Sequence, residues 1–205
     1  MLTARDLEAR RGRRVLYDGL SLAAASGQLL RVTGANGAGK TTLLRQLVGL
    51  GQPSVGAVEW QGRPIGRQRD DFHRVLVYLG HAAALKDDLS ALENLRSLCA
   101  IGGDDVGDAA ARTALAAAGL QGRERLPARV LSQGQRRRVA LARLALAGAR
   151  ALWVLDEPFN TLDNVAGDWL AGLLSGHLAS GGIVVLTSHQ PVPVNAAAGT
   201  VELAL

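Results

Sequence analysis

The chain has one cysteine, and aromatic residues fill only 3% of its 205 positions. A single thiol cannot close an intrachain disulfide, and with no CxxC or Cys/His cluster beside it a structural metal is not expected. Cys99 therefore reads as a small buried apolar side chain. Aromatics this sparse leave no basic stripe interleaved with stacking rings, the surface that binders of single-stranded nucleic acid use. No run of about 18 apolar residues occurs, and no charged segment followed by an apolar one opens the chain. The expectation is a chain that is neither secreted nor membrane-spanning and works in the cytosol.

Lysine is scarce as well. Lys40 and Lys86 stand against arginines scattered from Arg5 to Arg150. The net charge of +5 and the pI near 10.3 admit a nucleic acid or an anionic membrane face as partner. With the arginines scattered along the chain and no stacking rings interleaved among them, the charge reads mostly as solvated surface. At 48% hydrophobic and 20% charged, the composition is that of a globular chain, long enough for one domain or a core with a small insertion.

One of the two lysines falls in Gly34-Ala35-Asn36-Gly37-Ala38-Gly39-Lys40-Thr41, which fits G-x-x-x-x-G-K-[ST]. This chain's own residue frequencies give about 0.002 chance matches to that pattern. A loop that cradles phosphates needs backbone N–H groups aimed inward and no Cβ atoms in the way, which Gly34, Gly37 and Gly39 provide. The helix opening at Lys40 adds its positive end, Lys40 can reach the β and γ oxygens, and the Thr41 hydroxyl, with Thr42 next to it, suits Mg²⁺ and phosphate. The apolar run Leu29 to Thr33 before the loop reads as a strand, and Thr41 to Leu50 after it as a helix stopped by Gly49 and Gly51.

Leu2 to Glu8 and Leu20 to Ala25 read as short strands joined by a basic turn, Arg10 to Arg14. Val55 to Trp60, Val75 to Tyr78, Leu152 to Leu155 and Ile183 to Thr187 are further strand-like runs, the last two of the buried parallel kind. From Ser90 to Ala149 the pattern is helical, with a capping-box spacing at Ser90 and Glu93 and an alanine-rich stretch from Gly107 to Ala118. These runs predict an all-helical insertion, about Ala82 to Arg129, in a mixed α/β core. The run Trp153-Val-Leu-Asp156-Glu157-Pro158 ends a strand on two carboxylates. Asp156 suits Mg²⁺, and Glu157 suits the attacking water. His73 and His177 have no such context and read as surface residues.

With these motifs the chain resembles the ATP-binding subunits of ABC transporters from its first strand to its last. Leu131-Ser-Gln-Gly-Gln135 is similar to that family's LSGGQ signature, with Gln133 where glycine is more usual. The resemblance implies an α/β fold: a phosphate-loop ABC ATPase core with a mostly parallel sheet, an N-terminal antiparallel β part and a helical insertion. It also implies one ATPase domain over residues 1–205, with 1–81 and 130–205 as the core and 82–129 as the helical subdomain. Ser132, Gly134 and Gln135 would meet a γ-phosphate at a helix N-terminus. Asp163 in Thr161-Leu-Asp163 resembles the D-loop residue that touches a partner's phosphate loop, and His189 in Ser188-His189 resembles the switch histidine. ATP and Mg²⁺ are the implied cofactors, and a head-to-tail homodimer of ATPase subunits is the implied assembly.

Two positions depart from the wider family. His81, in Tyr78-Leu-Gly-His81, stands where a glutamine is usual; it keeps a lone pair for Mg²⁺ or the water but loses it on protonation. The aromatic that usually stacks on adenine aligns near Arg11-Gly12, so Arg11 through its guanidinium, or Tyr17, is the candidate for the base. His81, the run Ala91 to Leu95, the signature helix and Ser188-His-Gln-Pro191 together resemble the ATPases of c-type cytochrome maturation. That implies membrane subunits of the cytochrome c maturation system (CcmB and CcmC type) as partners, met between His81 and Arg96, and a peripheral place on the cytoplasmic face of the inner membrane. No nucleic acid is expected; a nucleic-acid-associated ABC ATPase of repair or translation is the alternative.

Overall fold

Charged side chains do not interrupt backbone pairing on an exposed edge, and the N-terminal arginines illustrate this. In the computed structural model, which describes residues 1–148 and 150–205, β1 (Leu2–Arg11) and β2 (Arg14–Ala24) pair antiparallel. The segment expected as a turn continues the ladder through Arg10↔Val15 and Arg11↔Arg14. Only Gly12 and Arg13 leave it, and Gly12 takes φ 61°, which costs a residue without Cβ nothing. β3 (Leu29–Thr33) leads through the phosphate loop to α1 (Lys40–Leu47). The helix ends short of the expected Leu50 because Gly49 turns left-handed at φ 75° while the Leu50 and Gly51 amides fold back onto the Arg45 carbonyl.

β4 (Val55–Trp60) and β5 (Arg63–Pro64) complete an antiparallel sheet in the order β2-β1-β4-β5. The chain then runs through α2 (Arg69–Arg74), β6 (Leu76–Leu79), α3 (Ala91–Ile101), α4 (Asp108–Ala117), α5 (Gln133–Ala142), β7 (Leu152–Leu155), α6 (Asn164–Ala179), β8 (Ile183–Thr187) and β9 (Thr200–Ala204). The second sheet is parallel throughout, in the order β6-β7-β8-β3-β9. Every residue of β7 and β8 is buried, which explains a sequence that is apolar throughout except for Thr187 at the end of β8. Each fully buried Leu, Ile or Val here contributes about 1.5–3 kcal/mol over an exposed one.

β9 has no counterpart among the sequence-based strands. It lies at the sheet edge, three of its five residues are exposed, and Glu202 pairs with Arg31 of β3 at 2.6 Å, so neither an apolar run nor a turn marks it. α3, α4 and α5 enclose a separate apolar cluster with Leu95, Leu115 and Val139 at its centre. Cys99 is fully buried in it. Ser90 caps α3 through a reciprocal box with Glu93.

Two histidines depart from the surface expected of them. His177 follows Leu170 and Leu174 on the inward face of α6 and lies flat on Trp153, ring centroids 3.8 Å apart at 3°. Burial pushes its pKa below that of free imidazole. His73 is half-buried beside Phe72, 6.0 Å between ring centres.

Candidate nucleotide site

Because β7, β8 and β3 are parallel neighbours, their carboxyl ends share one edge of the sheet. That edge carries Asp156 and Glu157 after β7, Ser188 and His189 after β8, and the phosphate loop after β3. β6, beside β7, ends two residues before His81. Crevices at such carboxyl ends are where open α/β sheets bind ligands.

The loop's glycines are needed where they stand. Gly34, Gly37 and Gly39 take φ of 143°, 79° and 112°, and a Cβ on Gly34 would lie 2.8 Å from the Leu205 carbonyl oxygen. No side chain caps α1 at Gly39, so its first N–H groups remain available to an anion. Lys40 is buried, and its ammonium donates to the carbonyls of Gly34 at 2.8 Å and Ala35 at 3.2 Å. It lies across the loop.

Asp156, 1% exposed, is held from both sides. The Thr41 hydroxyl donates to its Oδ2 at 2.7 Å, and the Thr187 hydroxyl donates to its Oδ1 at 2.7 Å. Thr187 in turn accepts the Glu157 N–H at 2.7 Å. Glu157 takes φ 49°, a left-handed backbone rare outside glycine, at the point where two consecutive carboxylates turn to the same edge. Its Oε1 lies 3.0 Å from His189 Nε2, its Oε2 accepts from Asn160, and His81 Nδ1 stands 3.9 Å from Oε2. The His81 side chain is 73% exposed and reaches the cleft from the far side.

A cleft of roughly 470 Å³ lies here, with Arg11 and Leu16 on one side, Asn36, Gly37 and Gly39 to Thr42 below, and His81 and Glu157 opposite. Tyr17 does not belong to it. Its ring is buried against Gly39 and its hydroxyl donates to Gln46 at 2.8 Å, so it serves the core and offers no face to a base. Burial pushes its pKa up. Arg11 is exposed at the rim. The oxygen donors Thr41 and Asp156 fit a hard cation such as Mg²⁺. Among the described residues no group of three or more His, Cys, Asp or Glu could enclose a metal, so an ion here would draw its remaining ligands from phosphate and water.

The signature segment lies elsewhere. Ser132 caps α5, accepting the Gln135 N–H at 3.2 Å while Gln135 Oε1 accepts the Ser132 N–H at 3.0 Å. Gly134 passes so close to Thr161 that a Cβ would sit 2.7 Å from its carbonyl oxygen. Asp163 caps α6 through the Ala166 N–H at 2.9 Å and stands 3.6 Å from Arg138. None of these four lines the cleft beside the phosphate loop.

Sequence reasoning passed over Thr187, Asn160 and Arg137. Thr187 reads only as the last residue of an apolar strand. Arg137 lies within a run of three arginines, but at helical spacing it shares a stripe with the buried Leu141 and Leu144, a signal the sequence does carry.

A family profile described as ABC transporter matches residues 17–160. The chain is 57% identical over 193 residues to the cytochrome c biogenesis ATP-binding export protein CcmA of Aromatoleum aromaticum, covering 94% of this chain and 90% of that one. It is 51% identical over 202 residues to the protein of the same name in Dechloromonas aromatica, covering 98% of each. A dimeric structure of a bacterial ABC transporter cassette matches at TM-score 0.81 and 23% identity over 100% of this chain and 94% of that one. An ATP-binding subunit of an ABC transporter matches at TM-score 0.80 and 24% identity over 92% and 79%. Those two likenesses are of fold.

Proposed function

The chain belongs to the ABC transporter family as an ATP-hydrolysing subunit, and from that premise we propose that it is the energy-coupling ATPase of an ABC complex acting in c-type cytochrome biogenesis. The observation that carries the chemistry is the junction of Thr41, Asp156, Glu157 and His189 at one sheet edge beside the phosphate loop. The pathway rests on relatives named for cytochrome c biogenesis at 48–57% identity. Those relatives do not favour the nucleic-acid alternative.

Residues Gly34 to Thr42 would receive the phosphates, the loop amides and Lys40 meeting their charge. Lys40 would exchange its two neutral carbonyl partners for anionic phosphate oxygens, a gain because donor and acceptor then carry opposite charges. Thr41 and Asp156, with His81 as a further candidate, would hold Mg²⁺, which would supply neutralisation of the phosphate charge. Glu157 is the general base for the attacking water. Ionised, it can only accept, so the 3.0 Å contact requires the proton of His189 on Nε2, and His189 orients the carboxylate. Arg11 is the candidate for the nucleotide base, through its guanidinium face.

Ser132, Gly134, Gln135 and Asp163 would act on the nucleotide of a second copy, in a head-to-tail homodimer with two composite sites. Their place outside the chain's own cleft and the exposure of Ser132 at the start of α5 support this. The membrane partners would be of the CcmB and CcmC type, met between His81 and Arg96 at the cytoplasmic face of the inner membrane. Among the described residues no helix is long and apolar enough to cross a membrane, in keeping with a peripheral subunit. Residues 82–129 would act as the helical subdomain of a single ATPase domain.

The test has two arms. Glu157→Gln keeps the side chain's shape and removes the base, so it is expected to retain ATP, slow hydrolysis at least about a hundredfold and accumulate an ATP-bound dimer. Normal turnover would remove Glu157 from this role. Affinity purification from membranes, with co-purifying proteins identified, tests the pathway; recovery without any membrane subunit would count against it.

A further inference from the structure

Arg137 of α5 is only 6% exposed, and its partners are backbone carbonyls rather than carboxylate side chains. Nη1 donates to Gly80 at 2.8 Å and to His81 at 3.2 Å, and Nη2 donates to Asp156 at 2.6 Å. These carbonyls lie at the ends of two neighbouring strands: β6, which leads to His81, and β7, which leads to Asp156 and Glu157. The helix that carries Arg137 is the one Ser132 caps. A single planar guanidinium thus spans the three segments that bear Ser132, His81 and Glu157.

Burying a cation is costly, and burial does pull the Arg137 pKa down while Asp156 and Glu157 pull it back up. Packing alone would be served by an apolar side chain, as at Leu141 on the same stripe. A rigid fork does something a hydrocarbon cannot: with donors at fixed angles it sets the separation of the two strand ends. His81 and Glu157 approach to 3.9 Å across that separation.

We propose that Arg137 is a positioning residue for hydrolysis, holding the backbone of Gly80, His81 and Asp156 so that the His81 and Glu157 side chains meet the reacting water and metal in one geometry. This rests on the ATPase reading above and adds to it a residue that touches no nucleotide. The bonds go to backbone, so nucleotide binding by the phosphate loop does not depend on them. Turnover does.

The test compares purified wild type with Arg137→Lys, Arg137→Gln, His81→Ala and the double variant Arg137→Gln/His81→Ala. Steady-state hydrolysis, fluorescent-nucleotide affinity and thermal midpoint are measured for each. Both Arg137 variants are expected to lose roughly ten- to a hundredfold in kcat, the scale of an ångström of misplacement, with KM and affinity within about twofold of wild type. Lysine, which keeps the charge without the fork, should not rescue. The double variant should be no slower than Arg137→Gln alone, because both changes disable one arrangement. Wild-type kcat in both Arg137 variants, losses that track only the thermal midpoint, or rate effects that multiply independently would each overturn the proposal. A wild type that binds nucleotide but never hydrolyses it would remove the ATPase reading, and this inference with it. Normal turnover in the variants removes the inference alone.

Discussion

Thr41 and Asp156, 115 residues apart in sequence, share a 2.7 Å hydrogen bond between hydroxyl and carboxylate. With Thr187 on the other oxygen, Asp156 is already oriented before any ion arrives. Asp156→Asn keeps the shape, halves the accepting capacity and removes the charge that a divalent cation needs. The expected outcome is nucleotide affinity without Mg²⁺ within a few-fold of wild type and Mg²⁺-dependent hydrolysis down at least about a hundredfold. Titrating Mg²⁺ against hydrolysis rate measures this, and an unshifted titration would refute the metal role.

Ser132 poses a separate question, because it already has a structural task at the start of α5. Ser132→Ala should cost about 0.5–2 kcal/mol of stability through the lost cap. Ser132→Asp caps as well as serine but brings a negative charge to the position proposed to face the second copy's γ-phosphate. Its thermal midpoint should match wild type while hydrolysis disappears and ATP still binds. Turnover at the wild-type rate by Ser132→Asp would rule out a composite site.

What the sequence displays and what it conceals divide along a physical line. The phosphate loop is legible because its chemistry demands contiguous residue types, and Asp156-Glu157 because two charges terminate a wholly apolar strand. The parallel sheet is legible in β7 and β8, whose burial on both faces makes them apolar up to Thr187 at the end of β8. β9 is concealed because an edge strand needs only one apolar side, and Tyr17 because nothing local says whether a ring faces a ligand or Gln46. Arg137 is half legible: the stripe it shares with Leu141 and Leu144 marks which of three successive arginines goes inside, while its carbonyl partners at two distant strand ends leave no local trace.

His81 is tested by paired substitutions. Histidine and glutamine both offer an acceptor at this position, whereas alanine offers none. His81→Gln should hydrolyse ATP within a few-fold of wild type, and His81→Ala should lose at least about tenfold. Steady-state rates for the two variants measure it; wild-type turnover by His81→Ala would return His81 to an exposed residue at a strand end.

His177 makes a prediction about stability instead of rate. Its pKa is depressed in the fold by burial against Trp153, so the folded chain binds less proton than the unfolded chain below the imidazole range. Its contribution is therefore complete above about pH 6.5 and is lost as pH falls through the depressed value, with a slope of at most about 1.4 kcal/mol per pH unit. His177→Phe keeps a ring on Trp153 and takes up no proton. Denaturant unfolding should show the variant gaining on wild type between pH 7.5 and pH 5, and parallel stability curves would contradict the assignment.

The order β6-β7-β8-β3-β9 has a consequence for synthesis on the ribosome. β3, which launches the phosphate loop, finds both of its neighbours only in residues 183–187 and 200–204. Until those emerge, the strand has two open edges, and the loop has no sheet to hold it against Asp156 or Thr187. Such long-range pairing is slow and leaves apolar edges exposed while it waits. A nascent chain therefore has every residue of the nucleotide loop early and no ATPase until the end. The loop and the groups after β7 and β8 are thus brought onto one edge only by pairings that span most of the chain.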